Sequence, residues 1–175
     1  MDKQQISKII LKKLRMSLTE LLEKEGFSYT IKANRTGKFI EDVWIKNKGW
    51  QSSELKMLFN PVLNNINMAF SVFLEAGKNN RMLFEGAMLD DLMKKNCAYR
   101  LPAKMFGLFL NKRTERFIAI ISRDISNNLC WFENYNNPVD CLNILMNEKL
   151  ENTQKRSGFG KSETDKAIRF LNSIK

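Results

Sequence analysis

The 175-residue chain holds 43% hydrophobic residues, 29 Lys and Arg against 19 Asp and Glu, a net charge of +10 and no histidine. That size and apolar content suit a single domain with a true core, and no apolar run nears the roughly 18 residues that span a bilayer, so the expectation is a cytoplasmic protein with no membrane segment. The missing histidine excludes the commonest general base, the commonest zinc ligand and every Ser-His or Cys-His nucleophile pair, and three scattered cysteines, Cys97, Cys130 and Cys141, argue against a disulfide framework or a thiolate metal site.

Ile6, Ile10, Leu14, Leu18, Leu21 and Leu22 recur at helical spacing and Gly26 stands at the C′ position, which predicts a helix over 3–25. Two runs of β character, Phe27–Ala33 and Lys38–Lys46, flank the turn-forming Asn34-Arg35-Thr36-Gly37, and a third, Trp50–Phe59, follows Asn47-Lys48-Gly49. Asn60-Pro61 has the chemistry of an N-cap and a first helical residue. Val62, Leu63, Ile66, Ala69, Phe70, Phe73 and Leu74 share one helical face behind it, so a second helix is predicted up to Gly77. A short helix is expected over Ala87–Lys95, a strand hairpin over Met105–Leu110 and Arg116–Ser122, and two closing helices over Pro138–Met146 and Glu163–Ile174. The order α-β-β-β-α-(α)-β-β-α-α describes an α/β (α+β) fold, a mixed sheet of about five strands flanked by helices, in one domain over 1–175.

The three-residue connection Asn47-Lys48-Gly49 suits a hairpin whose type I turn ends in a left-handed glycine. Lys46 then faces Trp50, and Asp42 sits opposite Glu54. Alternation places Ile40, Asp42, Trp44 and Lys46 on one face with Trp50, Ser52, Glu54 and Lys56, and Phe39, Val43, Ile45, Leu55 and Met57 on the other. Facing carboxylates repel by about 0.2–1 kcal/mol. A Mg²⁺ or Mn²⁺ ion between Asp42 and Glu54 would turn that repulsion into a site, with the Lys56 amine neutralising charge beside it. Read without a metal, the same pattern is an amphipathic hairpin whose solvent face carries ordinary charges.

A helix, Gly26-Phe27, a strand, Gly37-Lys38-Phe39-Ile40-Glu41-Asp42-Val43, Ser53-Glu54-Leu55-Lys56 and a further helix together resemble the core of the PD-(D/E)XK nuclease superfamily. The resemblance covers 10–76 in topology and, more loosely, 105–122; it makes 1–128 a nuclease-like core and 129–175 a helical extension without a counterpart. It implies Asp42 and Glu54 as metal ligands, Lys56 as the catalytic amine, Glu20 as an assisting helix carboxylate, and a Mg²⁺-dependent DNA endonuclease acting as a homodimer. Glu41 stands where the family name has proline.

The net charge independently favours a polyanionic partner. Lys32, Arg35, Lys38, Lys46 and Lys48 cluster around the hairpins and would hold flanking phosphates, while Lys8, Lys12, Lys13 and Arg15 occupy the polar side of the first helix and would track a DNA backbone. Trp44 and Trp50 either stack a base or sugar, or pack over lysine stems or against a neighbouring element. Gly158-Phe159-Gly160-Lys161-Ser162 echoes the end of a phosphate-binding loop but has Lys155 where that loop needs glycine. The alternative to a nuclease is a non-catalytic basic accessory or inhibitor protein, of phage or mobile-element type, that docks on nucleic acid or an acidic protein.

Overall fold

Helix α1, Lys3–Lys24, buries Ile6, Ile10, Leu14, Leu18 and Leu22, each four residues from the next, so one stripe of its surface enters the core. Its end is closed by two backbone bonds, from Phe27 N–H to the Leu22 carbonyl (2.9 Å) and from Gly26 N–H to the Glu23 carbonyl (3.0 Å). Gly26 adopts φ +81°, and Phe27 is buried behind it. This is the Schellman arrangement that the Gly-Phe pair anticipates.

The computed structural model describes residues 3–36, 39–78, 80–94, 99–101, 109–150 and 161–174. After α1 come five strands, β1 Ser28–Thr36, β2 Phe39–Asn47, β3 Gln51–Asn60, β4 Asn65–Glu75 and β5 Arg81–Met88, in spatial order β1-β2-β3-β4-β5. A short helix α2, Leu89–Met93, precedes β6, Tyr99–Arg100, which pairs antiparallel with the start of β4. Helix α3, Phe109–Ser126, a 3-10 turn at Leu129–Tyr135, α4, Pro138–Leu150, and α5, Lys161–Ser173, complete the chain. The expected α+β class is therefore present, with a mostly antiparallel sheet, and no helix among the described residues is long and apolar enough to cross a membrane.

Two predicted elements take the other secondary structure. The segment expected to be the second helix is strand β4. Ile66, Met68, Phe70, Val72 and Leu74 are all fully buried, a period of two of which the helical face shares only Ile66, Phe70 and Leu74. Asn60 still caps, but it caps a turn: its side-chain oxygen accepts the N–H groups of Val62 (2.9 Å) and Leu63 (3.1 Å). The predicted strand over Arg116–Ser122 lies inside α3, where Thr114, Ile121 and Ile125 are buried at helical spacing. Of its expected partner, 105–108 lie outside the described residues and Phe109 and Leu110 open α3. Ala87 and Met88 end β5, leaving only Leu89–Met93 of the predicted short helix helical.

The residues group into two compact units, one of Met1–Lys46, Leu55–Phe70 and Ala87–Asn128, the other of Asn47–Glu54, Ser71–Gly86 and Leu129–Lys175. In the first, α1 packs on β1 and α3 over a core that includes Trp44, Leu55 and Phe70. In the second, α4 packs on α5, and Phe84 meets Tyr135 edge-on with centroids 5.8 Å apart.

Gly26→Ala keeps every contact but forces a side chain into the left-handed region, which costs about 1–2 kcal/mol. Urea unfolding should show a lower midpoint with an unchanged slope.

Candidate functional site

Asp42 is 2% exposed on β2, and both of its oxygens are engaged. Arg15 of α1 donates from Nε to Oδ1 (2.8 Å) and from Nη2 to Oδ2 (2.9 Å), and the Tyr29 hydroxyl donates to Oδ1 (2.5 Å). Four residues of helix advance about 6 Å and two residues of strand about 7 Å. That match lets Arg15 and Thr19 meet Asp42 and Trp44 in turn, Trp44 Nε1 donating to the Thr19 hydroxyl at 3.0 Å. Tyr29, which pairs across β1 and β2 with Trp44, packs on that indole at 5.4 Å and carries the Arg15 guanidinium 5.8 Å from its ring centre.

The electrostatics follow from the geometry. The Asp42 hydrogen bonds and charge hold Arg15 protonated beyond its ordinary range, against the opposing effect of burial. Burial and then the bond to Asp42 push the Tyr29 hydroxyl up to about 12. The β2 residues Asp42 and Trp44, expected on the chemically equipped face, thus pack under α1.

Glu54, 4% exposed on β3, has its own arginine: Arg81 Nη2 lies 2.7 Å from Oε1. The same guanidinium donates from Nε to Glu75 (2.9 Å) and from Nη2 to the Ser52 hydroxyl (2.8 Å), and sits 3.7 Å over the Phe73 ring. Ser52 in turn donates to Glu75. One planar cation therefore organises two carboxylates and a hydroxyl, a task that suits five fixed donors.

The turn before β3 closes differently from expectation. Gly49 is left-handed at φ +80°, as anticipated, but Lys48 N–H donates to the Gln51 carbonyl (2.8 Å), so the loop closes on Lys48 and Gln51 instead of Lys46 and Trp50. The register that set Asp42 opposite Glu54 therefore has no support from the turn. Glu20 is exposed on α1 and Lys56 is half-buried on β3. Lys46 donates to the Glu25 carbonyl (2.6 Å) and lies over the Phe27 ring, and Lys48 donates to the Asn136 side chain. Lys32 and Arg35 lie on β1; Lys38, like 151–160 of the glycine-rich loop, falls outside the described residues. Each carboxylate expected to hold Mg²⁺ faces a guanidinium in this structure, and no cluster of three metal-ligating side chains occurs among the described residues.

A different assembly stands out at the surface. Lys8, Lys12 and Lys13 are exposed on α1, whose first carboxylate is Glu20, and Lys112, Arg113 and Arg116 are exposed on α3. Lys13 Nζ donates to the Asn111 side chain (3.3 Å), joining the two groups. The α3 half was hidden by the strand reading of 105–122, although Lys112, Arg113 and Arg116 already stood at one-helix-face spacing. No protein-family model matches the chain, and neither the curated proteins nor the solved structures give a match.

Because Asp42 is buried while Arg15 is partly hydrated, removing the arginine should cost more than removing the charge. Arg15→Ala is expected to lower stability by about 2–3 kcal/mol, a buried-pair loss discounted for Arg15's exposure, and Asp42→Asn by less, in paired denaturation curves. The Tyr29 pKa is raised, so the stability its hydroxyl contributes is full below about pH 10 and is lost as pH climbs through about 12. Phenolate absorbance should show a late-titrating component that is lost in Tyr29→Phe.

Proposed function

We propose that this protein holds the backbone of duplex DNA on the basic surface of α1 and α3 and acts by binding it, without cutting it. The observation that carries the reading is the Lys13–Asn111 hydrogen bond, which draws Lys8, Lys12 and Lys13 of one helix together with Lys112, Arg113 and Arg116 of the other. Lysine and arginine in such an array release condensed counterions from phosphates, the main source of sequence-independent affinity. Glu115 stands exposed among the α3 cations, which outnumber it, and the other carboxylates of the two helices lie away from them. Asp42 is buried under Arg15; Asp124, 4% exposed, accepts the Tyr99 hydroxyl (2.9 Å) and the Arg123 guanidinium; Glu20, Glu23 and Glu25 gather towards the far end of α1.

The endonuclease reading keeps one specific support, a buried glutamate on the central strand with Lys56 two residues on. It requires Arg81 to release Glu54 and Arg15 to release Asp42, each of which leaves a buried charge to be matched again.

Supercoiled plasmid and a short duplex should be retarded in gel shifts, and remain uncut, with either Mg²⁺ or Mn²⁺ present. With six cationic side chains in contact, the log–log salt dependence should have a slope of about −5, and Lys12→Glu with Lys13→Glu should abolish the shift. Mn²⁺-dependent cleavage that disappears in Glu54→Gln would restore the endonuclease. A tight complex with an acidic protein, and none with DNA, would transfer the surface to a protein partner.

A further inference from the structure

The turn between β3 and β4 is fixed from both sides. Asn60 holds the N–H groups of Val62 and Leu63 from within. Asn64, left-handed at φ +55° and itself buried, accepts the Ser7 hydroxyl of α1 (3.2 Å), donates to the Leu101 carbonyl (3.3 Å) and accepts the Leu101 N–H on its own carbonyl (3.0 Å). From this anchored base Pro61, Val62 and Leu63 project into solvent, Val62 77% and Leu63 65% exposed. Two adjacent aliphatic side chains at such exposure on a braced turn gain nothing for the fold.

Two exposed cations adjoin the anchors of the turn. Ser7, its anchor on α1, is followed by exposed Lys8, and exposed Arg100 pairs across from Asn65, the first residue after the turn. An apolar point whose anchors adjoin cations is complementary to a stacked, negatively charged duplex. Proteins that kink DNA combine the same parts, an aliphatic or proline wedge that opens a base step and basic side chains that hold the phosphates beside it.

We propose that the Pro61–Leu63 tip is a wedge that enters a base step of the duplex held on the α1–α3 surface, unstacking it and bending the DNA. The inference rests on the DNA-binding reading above and adds a mode of engagement to it. Bracing by Asn60 and Asn64 keeps Val62 and Leu63 presented, so no ordering of the turn is needed at the moment of insertion.

The test uses a short duplex with 2-aminopurine at successive steps and a fluorophore pair at its ends. Full-length protein should brighten one 2-aminopurine position and shorten the end-to-end distance. Val62→Ala with Leu63→Ala, whose folding is checked by circular dichroism, should still retard the duplex and lose both signals; Lys12→Glu with Lys13→Glu should lose retardation and signals together. Retardation by the wild type without either signal, or both signals surviving in the tip variant, overturns the wedge and leaves the binding reading standing. Absence of any retardation overturns both. Tip-dependent sedimentation with anionic phosphatidylserine vesicles, without unstacking of DNA, overturns the wedge in favour of a lipid surface.

Discussion

The carboxylate of Asp42 is the buried charge to which the first unit is built. It sits on β2 under α1, and Arg15 and Tyr29 between them occupy both of its oxygens. Such a pair adds little stability compared with a well-packed apolar contact of the same volume, but it penalises any arrangement that separates its members. A slip of β2 by one residue would carry Asp42 to the opposite face, strand the charge and turn Trp44 away from Thr19. The helix and strand rises match over this stretch, so one ion pair and one indole bond fix both the height and the rotation of α1 on the sheet.

Much of the fold was legible wherever a single period fitted the residues. The stripe from Ile6 to Leu22 permits only a helix, and Gly26-Phe27 ends it in the way the pair suggests. Between 60 and 75 two periods coexist. Ile66, Phe70, Phe73 and Leu74 fit a helix, while Ile66, Met68, Phe70, Val72 and Leu74 fit a strand, and pairing with neighbouring strands decides for the second. The Asn60-Pro61 signal was correctly seen as a cap but names no element, because an Asn oxygen satisfies the same N–H groups at a helix start or in a tight turn. In 116–122 the run Phe117-Ile118-Ala119-Ile120-Ile121 has strand composition, yet burial falls on Thr114, Ile121 and Ile125, a pattern visible only over a longer window.

The candidate site was legible in part for a related reason. Asp42 and Glu54 do occupy special positions, since each is a carboxylate buried on a strand. Their partners, Arg15 and Arg81, lie on other elements far along the chain, and no local motif points to them. A triplet such as Glu54-Leu55-Lys56 reads the same whether its acid meets a metal ion or a guanidinium. Exposed cations of α1 and α3 come together through Lys13 and Asn111, and the joining of those helices depends on tertiary packing.

Among the described residues, buried Asp42 and Glu54 are thus matched by arginines, while the lysines and arginines of the proposed surface on α1 and α3 stand exposed. The most direct measurement of that matching is thermal unfolding with and without millimolar Mn²⁺, since a metal bound only by the native state must raise the midpoint. With Asp42 and Glu54 held by Arg15 and Arg81, the midpoint should not move. A rise that is lost in Asp42→Asn or Glu54→Gln would contradict the account and return both carboxylates to a metal.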